Sequence, residues 1–366
     1  MTEGARIASG LEGVVVAETE LSHVDGQAGE LWIRGHRVEA LAGARSFEEA
    51  AWQLWTGVFP DDAAGVRAQL GQARARAFAA IDPRDPALRH ADGMDALRAL
   101  VARTAVPESA TELERAIVLT ASVAVAAAAW QRTQRGEALV APDASRWHAS
   151  DVLRMVQGEA PDPARAAALD RYLVTVIDHG MNASTFAARV VASTGSDDVS
   201  AITAAIGALK GPLHGGAPGP VLDMLDAVGA PERAGAWVDA ELDAGRRIMG
   251  MGHRIYRVRD PRAAVLEAGI EQLERAGVAK GRLALARAVE KEAEARLAAR
   301  RPDRALRANV EFYTAVILDA VGLDRRAFSP TFAIGRVAGW CAHVAEQRRT
   351  GRLIRPASRY VGPVPA

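Results

Sequence analysis

The 366-residue chain is predicted to be mainly α-helical, with a small β region at its N-terminus. Three observations predict this. Aromatic residues make up only 5% of the chain, while Ala, Leu, Arg and Glu dominate, a composition that suits helices better than sheets. Capping residues stand ahead of apolar runs along most of the sequence. Short β-prone runs, by contrast, are confined to the start.

Those runs are Gly13-Val-Val-Val-Ala-Glu18 and Gly29-Glu-Leu-Trp-Ile-Arg-Gly35. They flank the turn-forming pair Asp25-Gly26 and are expected to form a hairpin region. Ser46-Phe-Glu-Glu49 then has the capping-box spacing, ahead of an apolar run to Trp55. Pro60-Asp61-Asp62 is expected to open a helix that runs to about Ala80. Thr111-Glu-Leu-Glu114 caps a long Ala-rich helix, and Pro161-Asp-Pro163 starts another that runs toward Ile177. The stretch from Arg135 to Arg146 is polar and contains Gly136 and Pro142, so it reads as a loop. Further helices are expected over Asn182–Ser193, Val199–Leu209, Pro220–Val228, Pro231–Arg247, Pro261–Ala276, Gly281–Arg300, Val310–Val321 and Ala327–Gln347.

Composition narrows the classes of function. Apolar residues at 49% and charged residues at 25% describe a globular chain with a sizeable core, long enough for two or three domains at roughly 150 residues each. Lys plus Arg equals Asp plus Glu at 45 each, so no overall field draws the chain to nucleic acid or to an anionic membrane. A lone cysteine, Cys341, excludes an internal disulfide framework and fits a reducing compartment. The opening residues carry Glu3, Glu12, Glu18 and Glu20 and do not read as a secretory signal. The longest apolar stretch, Ala116 to Trp130, is shorter than the roughly 20 residues that span a bilayer, and reads as a core helix. A cytoplasmic protein is expected.

The chemistry is expected at Gly-containing junctions between helices. His23, His36, His90, His148 and His343 sit among ordinary helix, loop or surface residues. The other three lie in Asp178-His179-Gly-Met-Asn182-Ala-Ser184, Gly211-Pro-Leu-His214-Gly-Gly216 and Met249-Gly-Met-Gly252-His253-Arg-Ile-Tyr-Arg257. Glycine there lets the backbone approach a ligand closely. Residues 246–262 also hold Arg246, Arg247, Arg254, Arg257, Arg259 and Arg262 against Asp260 alone, a local excess suited to an anion. Arg336 lies within the apolar run Phe332-Ala-Ile-Gly-Arg-Val-Ala-Gly-Trp340. A guanidinium there needs either a structural ion pair or the carboxylate of a ligand.

Taken together these segments resemble the successive signatures of citrate synthases. Gly10-Leu-Glu-Gly13-Val-Val, the three histidine motifs, Asp260-Pro-Arg262, Asn309-Val-Glu-Phe-Tyr313 and Ala333 to Trp340 occur in the family's order from about residue 10 to Arg355-Pro356. The resemblance implies a homodimer of two-domain helical subunits. Residues 1–215 and 323–366 would form the large domain and residues 216–322 an inserted small domain on the coenzyme A side, with Gly215, Gly216 and Gly322 as hinge candidates. It implies an acyltransferase that joins acetyl-CoA to oxaloacetate and hydrolyses the thioester to give citrate and coenzyme A. A 2-methylcitrate synthase using propionyl-CoA is an alternative, as is a weakly active or non-catalytic relative. His214 matches the donor to the thioester oxygen, His253 the residue that polarises the ketone, and Glu311 the base. His179, Arg262 and Arg336 match the cradle for the substrate carboxylates. Arg355 matches an arginine reaching in from the partner subunit. Gly250, Met251 and Gly252, with Arg254 and Arg257, match the coenzyme A side, and Arg259 is a further phosphate candidate. No permanently bound cofactor and no metal are implied.

Two positions depart from the family pattern. Glu311 stands where the family usually has Asp, and its extra methylene moves the carboxylate by ~1.5 Å if the backbone stays put. A misplacement of ~1 Å can cost on the order of 10²-fold in rate, so either the backbone retreats or turnover slows. Pro218 stands where Asn is more usual.

Overall fold

In the computed structural model, residues 8–11, 13–59, 65–215, 218–279, 281–302, 304 and 306–363 are described. The expected Pro60-Asp61-Asp62 helix start, Glu12 and the hinge candidate Gly216 lie outside the described residues.

The N-terminal sheet has three antiparallel strands in chain order, β1 (Ser22–Asp25), β2 (Glu30–Ile33) and β3 (His36–Arg37). The Asp25 carboxylate sets the turn by accepting the N–H groups of Gln27 and Ala28, both at 2.8 Å. That turn pairs Asp25 with Glu30 and Ser22 with Ile33. The expectation for residues 13–18 is therefore corrected. They form no strand, because the turn at Asp25 pairs β2 with the residues just before it, and Val15 is left 86% exposed.

Helices follow as α1 (Val38–Leu41), α2 (Phe47–Trp55), α3 (Val66–Ala79), α4 (Gly93–Val101), α5 (Glu112–Gln134), α6 (His148–Gln157), α7 (Pro163–Thr175), α8 (Ala183–Ser193) and α9 (Asp198–Leu209). The chain continues with α10 (Pro218–Val228), α11 (Ala234–Asp243), α12 (Pro261–Arg275), α13 (Arg282–Arg300), α14 (Val310–Val321) and α15 (Phe328–Thr350). Capping boxes are present at Ser46 and Thr111, and Asp162 caps α7. The helix expected over Pro231–Arg247 is shorter. A 3₁₀ turn, Pro231–Arg233, leads into α11, and Gly245 at φ 72° turns the chain away. Gly322, a hinge candidate, is the left-handed cap of α14 at φ 91°.

The two longest helices, α5 and α15, pack together and gather the others. The helices α3, α4 and α6 lie on α5, while α2, α7, α8 and α9 lie on α15. By length and composition α5 could cross a membrane, but 78% of its apolar window is buried in the protein, as a core helix requires. Farther along the chain, α12 and α14 pack against each other and both against α7, and α11 packs on α13.

Buried acids join helix ends under this core. Asp170 of α7 accepts the Phe47 N–H that opens α2 (3.1 Å), and Glu48 of α2 accepts the His148 N–H that opens α6 (2.6 Å). Asp151 of α6 in turn pairs with Arg74 of α3 at 2.8 Å, both side chains fully buried. Burial pushes Asp170 up to about 7, and the nearby Glu48 and Glu49 add to this against the pull of the Phe47 N–H. In the unfolded chain the same carboxyl ionises near 3.8. Its protonated form therefore favours folding at low pH, and that contribution is lost as pH rises toward 7. Asp170→Asn, which keeps the acceptor and removes the charge, is expected to raise the thermal midpoint at pH 8 by about 2 °C or more and to change little at pH 4. Midpoints followed by circular dichroism at both pH values test this.

Candidate active site

The loop from Met249 to Asp260 and the start of α14 form one hydrogen-bonded unit. Gly250 and Gly252 have φ of 73° and 87°, a region closed to most side chains. A Cβ on Gly250 would also stand 2.9 Å from Phe312. The loop bonds to the strand-like residues before α14 through Gly252 N–H to the Arg307 carbonyl (2.7 Å) and Asn309 N–H to the Gly250 carbonyl (2.9 Å). Asn309 also donates its side-chain amide to the Gly252 carbonyl (2.9 Å) and caps α14 by accepting the Glu311 N–H (3.0 Å). From the other side the β1–β2 turn braces the loop. Arg257 N–H donates to the Gly26 carbonyl at 2.8 Å, and the close approach of Ile255 leaves no room for a Cβ at Gly26.

Asp260 closes the unit. It caps α12 at the Arg262 N–H (3.0 Å), holds the Arg262 guanidinium through two bonds (3.0 and 2.7 Å), and accepts the Val310 N–H of α14 (3.2 Å). Burial alone would make Arg262 easier to deprotonate, but Asp260 more than reverses that, so the guanidinium stays charged.

Backbone donors fix the tautomer of His253, and the surroundings of His214 suit the opposite one. The Nδ1 of His253 accepts the N–H groups of Ile255 (3.0 Å) and Tyr256 (3.1 Å), so its proton is on Nε2. The Nε2 of His214 meets the Ser184 hydroxyl at 2.8 Å. Asn182 Oδ1 already accepts the N–H groups of Ser184 and Thr185, and Trp340 Nε1–H donates to the same hydroxyl. The hydroxyl lies 2.8 Å from Asn182 Oδ1 as well as from His214 Nε2; because that amide oxygen already accepts two N–H groups, we assign the hydroxyl proton to His214 Nε2, which puts the proton of His214 on Nδ1. Both rings are held near a pKa of about 4, by burial first, then by Arg262 for His253 and by Arg336 for His214. Each is a neutral hydrogen-bond donor at physiological pH.

His179 is buried beside them, its Nε2 3.1 Å from the Tyr256 hydroxyl and its ring 5.8 Å from that of His253. Burial, then Arg262 and Arg336, keep it neutral. Behind it Asp178 receives hydrogen bonds from the Ser22 hydroxyl and from His343 Nε2 (3.1 Å), whose Nδ1 accepts from Arg189 (2.9 Å). Burial would raise the Asp178 pKa, but His343, Arg336 and Ser22 together bring it down to about 2.

Arg336 is buried and makes no salt bridge among the described residues. Its Nε–H donates to the Val176 carbonyl (2.6 Å), its guanidinium lies 4.6 Å over the Phe332 ring, and its Nη2 has no partner. Of the two readings the sequence left open, the direct ion pair is not formed among the described residues, although the charge of Asp178 acts on the guanidinium. Glu311, on the first turn of α14, is 9% exposed, and its Oε2 also lacks a partner. Burial raises it to about 7 against the pull of Arg262 and Arg336, with Asp260 adding to the rise.

The field of Arg262 reaches His179, His214, His253 and Glu311, which places these four groups around one charge. Arg254 and Arg257 are exposed on the same loop with no side-chain partner. Arg259, a phosphate candidate in the sequence, is committed elsewhere, to Glu290 (2.7 Å) and Glu267 (2.8 Å). Arg355 is exposed in the C-terminal segment and has no partner in its own chain among the described residues. A surface cavity of about 1020 Å³ between α3, α4 and α5 is lined by none of these groups. Among the described residues, no three or more His, Cys, Asp or Glu side chains are arranged to hold a metal ion. Sequence reasoning gave no role to Ser184, Asp178, Tyr256, His343 and Arg189. The first three sat inside quoted motifs, where a polar side chain beside glycine was the available signal. His343 and Arg189 carried no such signal.

A family model described as the citrate synthase C-terminal domain matches residues 10–357. The citrate synthase of Haloferax volcanii is 40% identical over 367 residues, covering 96% of this chain and 95% of that protein. The 2-methylcitrate synthase of Mycobacterium tuberculosis is 34% identical, covering 97% and 91% respectively. The crystal structure of citrate synthase from Pyrobaculum aerophilum superimposes with a TM-score of 0.85 at 33% identity, covering 98% of this chain and 93% of that one.

The tautomers provide a test that needs no substrate. In ¹⁵N spectra, His214 is expected to stay neutral with its proton on Nδ1, and His253 neutral with its proton on Nε2, from pH 8 down to about pH 5. An imidazolium signal from either ring at pH 6 would contradict the assignment.

Proposed function

The chain belongs to the citrate synthase family and is an enzyme of that type, and from this premise we propose that it condenses acetyl-CoA with oxaloacetate to give citrate and coenzyme A. One observation carries the reading: two buried groups of one electrostatic site, the Glu311 carboxylate and the Arg336 guanidinium, each keep an atom without a hydrogen-bond partner, Oε2 and Nη2.

Each group then has a task suited to its chemistry. Arg336 and Arg262, with His179, receive the two carboxylates of oxaloacetate, and the planar guanidinium of Arg336 offers its unused Nη2. His253 donates its Nε2 proton to the ketone oxygen and makes the carbon electrophilic. His214 donates from Nδ1 to the thioester oxygen, stabilising the enolate that forms as Glu311 removes a methyl proton. The methyl carbon attacks the ketone, and water then cleaves the thioester to release coenzyme A. Neutral donors suit this step, since they stabilise the developing charge without protonating it outright. Arg254 and Arg257 are placed for the coenzyme A phosphates, with the backbone of Gly250, Met251 and Gly252 on the adenine side. No permanent cofactor is needed.

The relation to a 2-methylcitrate synthase favours propionyl-CoA as a second substrate. One methylene is worth ~1–3 kcal/mol of discrimination in an apolar pocket, so activity with both thioesters is expected. We further propose a cytoplasmic homodimer in which the unpartnered Arg355 enters the other subunit's site. Residues 216–322 would be the inserted small domain, whose closure on residues 1–215 and 323–366 excludes water.

Free thiol release from acetyl-CoA or propionyl-CoA on adding oxaloacetate is the direct assay. Absence of release with both thioesters would leave a binding protein without turnover and defeat the proposal. Glu311→Gln is expected to reduce release by at least about 10³-fold with oxaloacetate affinity largely kept. Because Glu311 must be ionised to act, kcat/KM for the thioester is expected to fall tenfold per pH unit below about 7. A flat profile between pH 5 and 8 would show that another group is the base.

A further inference from the structure

Arg355, the side chain proposed to enter the other subunit's site, follows the end of α15 in a stretch where Arg352 and Leu353 are exposed and only Ile354 is half-buried. A side chain that must reach another subunit needs a fixed point of departure, or its ordering costs affinity. Four hydrogen bonds supply that point, in a line that starts beside the substrate cradle. Asp178, next to His179 in the chain, accepts from His343 Nε2 (3.1 Å). His343 Nδ1 accepts from the Arg189 guanidinium (2.9 Å), whose Nε–H donates to Oε1 of Gln347 (2.9 Å). Nε2 of Gln347 then donates to the Arg352 carbonyl (3.2 Å). Asp178, His343 and Arg189 are fully buried and Gln347 is 3% exposed, so bulk water does not compete for the links between them. A second anchor lies two residues farther on, where the Ile354 N–H donates to the Ser193 hydroxyl (3.1 Å). Arg189 and Ser193 are four residues apart on α8 and share a face.

We propose that Gln347 is a positioning residue for Arg355: by bonding the Arg352 carbonyl it docks the C-terminal arm on α8, and through Arg189, His343 and Asp178 it ties the arm that serves one subunit's site to the cradle of its own. The direction of every bond is forced. An ionised carboxylate only accepts and a guanidinium only donates, which fixes the His343 ring between them. Gln347 stands between a guanidinium and a carbonyl, so one orientation of its amide satisfies both. Glu346 pairs with the charge of Arg189 (2.6 Å) and leaves Gln347 as the member that reaches the arm. Gly351 makes room for this, since a Cβ there would collide with the Gln347 amide nitrogen. Beyond the anchors, Pro356 confines Arg355 to extended backbone. A cap for α15 would need only the last bond; the buried links behind it and the Ser193 anchor beyond it hold the arm to the site.

This role for Gln347 rests on the one proposed for Arg355, and the two can fail separately. Gln347→Glu keeps the volume and the acceptor for Arg189 but sets an oxygen against the Arg352 carbonyl. Amide exchange at Ile354 is expected to quicken by about tenfold or more, while exchange at Asn309 in the site loop stays within about twofold. KM for oxaloacetate is expected to rise about tenfold with kcat within about threefold of wild type, the mark of lost substrate binding. Gly351→Ala, which crowds the amide without changing its chemistry, should act in the same direction on both readouts. In an Arg355→Ala background, Gln347→Glu should raise KM by less than about twofold, because the arm no longer carries a charge to misplace. A wild-type protein without thiol release would sink the proposed reaction, and oxaloacetate affinity measured by calorimetry would then decide the positioning in place of KM. Arg355→Ala with oxaloacetate binding unchanged would remove the role of Arg355 and that of Gln347 with it. Unmoved exchange at Ile354, or an equal loss in both backgrounds while Arg355→Ala is itself weakened, would reduce Gln347 to a helix cap and overturn its positioning role alone.

Discussion

The site depends on the Asp260 carboxylate. Two oxygens bind four groups: the first N–H groups of α12 and α14, and two nitrogens of Arg262. One buried charge therefore sets how two helices meet, where the turn of α14 that carries Glu311 begins, and which way the central guanidinium faces. Breaking a buried pair of this kind by removing one partner typically costs ~3–5 kcal/mol, because the other charge is left stranded. Here it would also free the N-terminus of α14 from α12. Structural integrity and reactivity are not separable at this residue.

Around that anchor the electrostatics are arranged for a guest. Arg262 is paired with Asp260, whereas Arg336 forms no ion pair among the described residues, and burial lowers its pKa to about 10 against the pull of Asp178, with Arg262 adding to the fall. A bound dianion would repay this by supplying what the protein withholds. Meanwhile the histidines cannot share the load. Low polarity and the two arginines keep them uncharged, so they serve as directed dipoles rather than as counter-ions. Glu311 sits between these demands. Its environment penalises its charge enough to make it basic, while the arginines prevent it from becoming inert.

How much of this could be read in the sequence follows from where each interaction is encoded. Local features were legible. The capping boxes at Ser46 and Thr111, and the loop glycines at 250 and 252, lie within a few residues of the groups they serve. The resemblance placed the histidines and Arg262 in one site, and the shared field of Arg262 is consistent with that grouping. Interactions spanning long stretches of chain were not legible. No Ser, Thr, Asp or Asn announces α6, because Glu48 supplies the acceptor for its first N–H from 100 residues away. His343 looked ordinary in its helix because its partners, Asp178 and Arg189, lie 165 and 154 residues distant. Val14 to Val16 misled in the opposite sense, since β propensity has no effect where no neighbouring strand is available.

The brace between Gly26 and the His253 loop carries a consequence for biogenesis. The hairpin is translated before the backbone it supports, which follows more than two hundred residues later. Ser22 of β1 can meet Asp178 and Gly180 earlier, but the β1–β2 turn lacks its partner until Arg257 exists. Joining segments so far apart also makes loop closure entropically slow. The loop carrying His253 can thus reach its final form only once both distant segments have been made and have met.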